Sequence, residues 1–319
     1  MNVLVTGGNG YIGNDLCKYL VGLGYHVRAL VRSVTSPVDG VEYFVGDLEE
    51  VVYIEAALHG VDCVVHLAGR AHVIKDGVSD PLAEYRRVNR DLSLSLASCA
   101  KHAGVSRFIF ISSIGVNGAT TGEGPFDERR CPAPVTDYAL SKLEAEVGLR
   151  ELLSDSDMQL VIIRPPLVYG ANAPGNFARL FKLVSLSPVL PFGSISNHRS
   201  LISLRNLIGF IALCIEHEKA QDEVFLVCDG SPISTPEMVR ALAEGMGKRC
   251  LLVKVDPLIL KWCARLARKD SIYSQLCESI VISNEKACGL LGWRPETNTY
   301  DALKHLANSV KNSRSTLKH

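Results

Sequence analysis

Short apolar runs, separated by glycine turns and amphipathic stretches, organise the first half of the chain. Asn2–Thr6, Tyr25–Val31, Val41–Val45, Cys63–Leu67, Phe108–Ile111 and Gln159–Ile163 read as buried strands. Between them, helical spacing predicts helices ending near Leu23 and Leu58, one from about Leu82 to His102, and one from Tyr138 to about Leu153. Near-continuous apolar strands alternating with helices argue for a parallel sheet covered on both faces. After Arg164-Pro-Pro-Leu-Val-Tyr-Gly170 the pattern loosens. Prolines and glycines punctuate 165–193, helices are predicted over 206–217 and 236–246, and strands over Val224–Cys228 and, weakly, Leu252–Val255. The expected fold is α/β: a Rossmann-type parallel sheet over residues 1–164 with a smaller C-terminal α/β lobe over 165–319, some of whose segments return to the main sheet. Lys311–His319 reads as a solvated basic end.

Composition narrows the partners. The 319 residues are 47% hydrophobic and carry 34 basic against 34 acidic side chains. A formal charge of zero provides no overall field for steering nucleic acid or an anionic membrane, so an anionic ligand must be held by local groups. The ten cysteines are scattered without metal-ligand spacing, and no metal is expected. Cys17, Cys63, Cys99 and Cys214 lie in apolar segments, where reduced cysteine serves as a small core residue. That usage suits a reducing cytosol. No apolar run reaches membrane-spanning length, and Met1 leads straight into the first strand, leaving no room for a signal peptide. A cytoplasmic location is the expectation. The segment Pro257–Lys269 has one apolar and one basic side, which would suit a membrane surface; packing over the C-terminal lobe is the commoner use and the one expected.

The first strand ends in Thr6-Gly-Gly-Asn-Gly-Tyr-Ile-Gly13 and a helix follows, the setting that a dinucleotide-binding glycine motif requires. Gly7 would permit the tight turn, Gly10 the approach of backbone to pyrophosphate, and Gly13 close helix packing. The helix N-terminus adds unpaired N–H donors for phosphate. At the end of the second strand, where NAD-selective proteins often carry Asp or Glu for the ribose, stand Val31 and Arg32. The guanidinium suits the additional phosphate of NADP and tilts the choice that way; NAD lying over Val31 is the alternative. Asp47 and Leu48 follow the third strand, within reach of an adenine edge, although Asp47 could equally cap a helix.

Tyr138 and Lys142 are four residues apart and share a helix face. Ser112-Ser113 follows the strand at 108–111, where strand ends face the ligand crevice. A phenol is a poor acid–base near neutrality, with a free pKa of about 10. Lys142 and a positively charged nicotinamide would favour the phenolate. The three groups could serve a hydride transfer, with Tyr138 moving the proton and Ser113 orienting the oxygen.

These pieces, with His66-Leu-Ala-Gly69 and Asn89, resemble the extended short-chain dehydrogenase/reductases, in particular the bacterial nucleotide-sugar epimerase, dehydratase and 4-keto-reductase branch. The resemblance covers nearly the whole chain. It assigns Gly7, Gly10, Tyr11, Ile12, Gly13, Leu67, Ala68, Gly69 and Asn89 to the cofactor side, and Ser113, Tyr138 and Lys142 to catalysis, with Val116 selecting Ser113 over Ser112. Arg199 resembles the arginine that holds a nucleotide diphosphate, as its fork geometry suits. Asn176, Phe177 and Arg179 fall where relatives meet the sugar nucleotide; Arg70, His72 and Lys75 could line the sugar pocket. Trp293 matches a late packing motif and is assigned to the core. The helices near 90–103 and 138–153 are a candidate homodimer face.

The family's 4,6-dehydratases carry an Asp-Glu pair where this chain has Ile114-Gly115, so dehydration is not expected. The favoured expectation is NAD(P)H-dependent reduction of the C4 ketone of a UDP-4-keto-6-deoxy-N-acetylhexosamine for surface polysaccharide. The alternative is a UDP-glucose or UDP-N-acetylglucosamine 4-epimerase with retained NAD. A dinucleotide-binding sensor or structural protein without turnover is the non-enzyme reading.

Overall fold

A computed structural model describes residues 1–71, 80–122, 124–267 and 269–316. His72, Lys75 and the last three residues of the basic end lie outside the described residues. In chain order, β1 (Asn2–Thr6) leads to α1 (Tyr11–Gly22), β2 (His26–Val31) and β3 (Val41–Val45). Then come α2 (Val51–Leu58), β4 (Cys63–His66), α3 (Pro81–Arg86), a π turn over Arg87–Asp91, α4 (Leu92–His102) and β5 (Arg107–Ile111). A 3₁₀ turn at Ile114–Val116 precedes α5 (Asp137–Leu153), β6 (Gln159–Arg164) and β7 (Leu167–Tyr169). The remainder comprises α6 (Gly175–Leu186), β8 (Val189–Leu190), β9 (Leu201–Ser203), α7 (Leu204–Glu216), β10 (Val224–Leu226) and α8 (Thr235–Gly245). It continues through β11 (Leu251–Leu252), α9 (Pro257–Leu266), α10 (Asp270–Cys277), α11 (Glu285–Leu291) and α12 (Thr299–Thr316).

Seven strands form one parallel sheet in the order β10-β6-β5-β4-β1-β2-β3. Its central strands are buried on both faces, as their unbroken apolar runs require: Val3, Leu4, Val5, Cys63, Val64, Val65, Phe108, Ile109 and Phe110 have no exposed surface. On one face, Leu16, Cys17 and Leu20 of α1 join Leu207, Phe210, Ile211 and Cys214 of α7. On the other, α2, α4 and α5 pack through Ile54, Leu58, Leu96, Ala100, Ala145 and Leu149. Trp293 belongs to the first of these cores, edge-on to Phe210 at 5.1 Å. A further core, with Phe177, Leu180, Val239, Leu242, Leu303 and Ala307, lies under α6, α8 and α12.

Three expectations change, and that of a solvated basic end gains detail. The helix predicted over 82–102 is broken by the π turn, where the Leu92 amide donates to the Arg87 carbonyl five residues back. Helical periodicity cannot register one inserted residue. The weak strand expected at 252–255 shrinks to Leu251–Leu252, paired in parallel with β8. Part of the expected basic end is helical, since α12 runs through Thr316. The segment from Pro257 does not pack its apolar side over the lobe: α9 has no buried residue. Among the described residues, no helix is long and apolar enough to cross a membrane.

Candidate active site

The sheet order decides where the motifs meet. β1 and β4 are neighbours although helices leave them toward opposite faces, and the crevice at such a reversal receives the ligand. The glycine turn after β1, Leu67 after β4 and Ser112-Ser113 after β5 therefore converge. A cavity of about 650 Å³ opens there, lined by Gly7, Gly10–Gly13, Leu67, Gly69, Ser113, Tyr138 and Lys142 among others.

The glycine cradle fits a dinucleotide phosphate on steric grounds. Gly7 has φ +70°, and a Cβ there would lie 3.0 Å from the Ala68 amide nitrogen. A Cβ on Gly13 would sit 2.2 Å from the Gly7 carbonyl oxygen. Only residues without a side chain allow that approach. Gly10 caps α1 without any side-chain hydrogen bond, leaving the first amides of the helix available to an anion. Beneath the cradle runs a buried relay whose proton positions follow from its ends. The Ala68 amide donates to Thr6 Oγ1 (3.3 Å), which pairs with His66 Nδ1 at 2.6 Å. His66 Nε2 meets Ser93 Oγ at 2.9 Å, and that hydroxyl donates to the Asn89 carbonyl at 2.7 Å. Ser93 thus accepts from Nε2–H, leaving Nδ1 to accept from Thr6. Burial, followed by the Lys142 charge, lowers the His66 pKa to about 3 and keeps the ring neutral.

Asn89, inside the π turn, is fully buried and supports the loop rather than lining the cavity. Its Oδ1 accepts from the Arg70 amide (2.7 Å), and its Nδ2 donates to the Arg70 carbonyl (3.1 Å) and Ser141 Oγ (3.0 Å). A π turn inside a helix often marks a functional site; here it presents Asn89 to the β4 loop.

The two serines divide their roles. Ser112 Oγ donates to Glu146 Oε1 at 2.5 Å, deep in the protein. Ser113 caps the 3₁₀ turn, accepts from the Gly115 amide at 3.1 Å, and lines the same cavity as Tyr138. Burial raises Tyr138 to about 12, and Ser113 partly offsets it. Lys142, 4% exposed, donates from Nζ to the Ile111 carbonyl at 3.0 Å and stands 4.6 Å from the Phe110 ring centre. Burial lowers it to about 8, against an upward pull from Glu146.

Glu146 was not identified from sequence, although it lies one helical turn beyond Lys142 and so on the same face. It has no exposed surface and accepts from Arg164 Nε (2.9 Å) and Nη2 (2.5 Å) as well as from Ser112. Arg164 also donates from Nη1 to Asn117 Oδ1 at 3.0 Å. This network ties β5, α5 and β6 together directly behind Lys142.

The C-terminal half closes the cavity with Asn176, Phe177, Arg179, Leu180, Leu183, Arg199, Met238, Ile272, Gln275 and Leu276. Arg199 is 8% exposed, donates to the Glu278 carbonyl at 2.9 Å, and has its pKa lowered by burial. Arg179 donates to Asn176 Oδ1 at 3.3 Å. Arg70 reaches the cavity and stands 5.8 Å from the Tyr85 ring, which in turn lies edge-on to Tyr138 at 6.1 Å. Arg32, Asp47 and Leu48 stand at the ends of β2 and β3, outside this lining. Asp47 accepts from the Glu49 amide at 3.1 Å, in a turn ahead of α2 rather than at its cap.

Residues 3–228 match the NAD dependent epimerase/dehydratase family. The chain belongs to that family. A UDP-glucose 4-epimerase of Vibrio cholerae is 42% identical over 97% of this chain and 95% of its own length. Among solved structures, a UDP-glucose 4-epimerase from Thermotoga maritima with UDP-glucose superposes with a TM-score of 0.78 at 23% identity, covering 99% and 100% of the two chains. A UDP-glucuronic acid 4-epimerase from Bacillus cereus in complex with NAD gives 0.78 at 22% identity, covering 98% and 99%. At these identities the two structures establish the Rossmann-type fold. Family membership, with the Vibrio relative, makes this protein an NAD(P)-dependent nucleotide-sugar enzyme.

Proposed function

We propose that the protein is a UDP-hexose 4-epimerase that retains NAD, acting on UDP-glucose or its N-acetylated counterpart. The reading rests above all on the end-to-end similarity to the Vibrio 4-epimerase. It takes the place of the 4-keto reductase favoured on sequence, toward which Val31 and Arg32 had tilted the choice, because the relatives' similarity supports the epimerase better.

In this reading Gly7, Gly10, Tyr11, Ile12 and Gly13 hold the dinucleotide phosphates, with Leu67, Ala68 and Gly69 along its other side. Bound NAD supplies reversible hydride transfer at C4 of the sugar. Tyr138 removes the proton from O4 and returns it after the sugar presents its other face. Ser113 hydrogen-bonds the same oxygen and holds it in register with the phenol. Lys142 supplies positive charge below a pH of about 8, set by burial against the pull of Glu146. Arg199 and Asn176 hold the nucleotide diphosphate, so that the sugar can turn while its anchor stays fixed.

Purified protein should interconvert the C4 epimers of a UDP-hexose without added nucleotide, read by product NMR, and release NAD on denaturation. Stoichiometric NADPH consumption on a UDP-4-keto-6-deoxy-N-acetylhexosamine, with no epimer formed from UDP-hexoses, would restore the reductase.

A further inference from the structure

Helix α9 turns its apolar side outward. Leu258, Ile259, Trp262 and Leu266 are 73%, 55%, 66% and 74% exposed. At 3.6 residues per turn these positions share a stripe roughly 100° wide. Leu260, on the other side, packs against the lobe core. A surface helix ordinarily shows water the reverse pattern. The strand pair leading into α9 adds Leu251 (63%) and Val253 (41%), with Val189 (47%) in register with Leu251 and Leu186 (72%) at the end of α6. Clustered apolar exposure of this kind marks an interaction surface.

Charge distinguishes between occupants. Segments 181–191 and 247–269 contain eight lysines and arginines and a single acid, Asp256, in a chain whose total formal charge is zero. Lys182, Lys248, Arg249, Lys254, Lys261, Arg265 and Lys269 are all exposed. The balanced total therefore conceals a local excess of positive charge in these two segments. A two-fold contact between copies through this face would set cations against cations, because an isologous interface pairs a patch with itself. An anionic bilayer satisfies both features, taking the apolar stripe into the acyl boundary and the cations against headgroup charge. Trp262, in the middle of the stripe, is the residue type that favours that depth.

We propose that α9, with the β8–β11 edge, seats the protein on anionic phospholipid membranes. The next helix, α10, contributes Ile272, Gln275 and Leu276 to the cavity wall, so the seated face lies one helix from the nucleotide-sugar pocket.

The test is co-sedimentation of the full chain with vesicles of phosphatidylcholine, alone or mixed with phosphatidylglycerol. Binding is expected only to the mixed vesicles and should weaken with salt. Tryptophan emission should shift to the blue on binding, reporting Trp262, because Trp293 is already 8% exposed. Lys261→Ala with Arg265→Ala should lower partitioning about thirtyfold, a fivefold step per cation near a charged surface. This double variant should keep its turnover of soluble substrate, showing that the fold is intact. No binding to mixed vesicles, or binding indifferent to these substitutions, would overturn the proposal. So would a concentration-dependent dimer that Leu258→Glu with Leu266→Glu dissociates.

Discussion

Glu146 holds two buried donors, and its removal should be costly in a measurable way. Glu146→Ala leaves the Arg164 guanidinium, 3% exposed, without its carboxylate and Ser112 without its acceptor. Breaking a buried pair by deleting one partner costs about 3–5 kcal/mol. Unfolding entropy of about 2 cal/mol/K per residue over this length turns that into a fall in Tm of about 5–8 °C. Replacing both partners by apolar residues, Glu146→Leu with Arg164→Met, should recover much of the loss, since an uncompensated charge is the larger part of it. The same carboxylate raises Lys142. In Glu146→Gln, the Lys142 pKa should drop further below about 8, moving the alkaline limb of the turnover profile to lower pH. Differential scanning calorimetry and the pH dependence of kcat check the two effects. A Glu146→Ala protein melting with the parent, or an unmoved alkaline limb in Glu146→Gln, would refute the reasoning.

Tyr138→Phe removes the proposed proton carrier and should lower kcat by about 10²–10⁴-fold while leaving NAD bound; near-parental turnover excludes the assignment. His66 remains neutral in the fold down to about pH 3, whereas the unfolded ring protonates near its ordinary 6.5. The unfolded state then binds the extra proton, so stability should fall as pH drops from 6.5 toward 3. His66→Gln should flatten that part of the Tm-versus-pH curve, and an unchanged slope would remove His66 as its source.

The pattern of the candidate site was readable because it is local. Three glycines in one turn, and a tyrosine and lysine one helical turn apart, carry their geometry in their spacing. Strand identities were readable for a similar reason, since apolar runs buried on two faces look unlike anything else in the chain. Tertiary structure had to decide matters that depend on partners distant in sequence. Residue pattern alone offered two serines, and the family resemblance chose Ser113 through Val116; the pairing of β5 with β6 beside α5 supplies the physical reason, since it ties Ser112 to the buried Glu146–Arg164 pair. The walls supplied by Arg199, Met238 and Leu276 converge across long stretches of loosely patterned chain. The same limit governs α9. Its two-sided sequence was evident, but amphipathicity fixes only that a helix has an apolar side. Which way that side faces depends on the area left uncovered by the rest of the fold, and here the answer was outward.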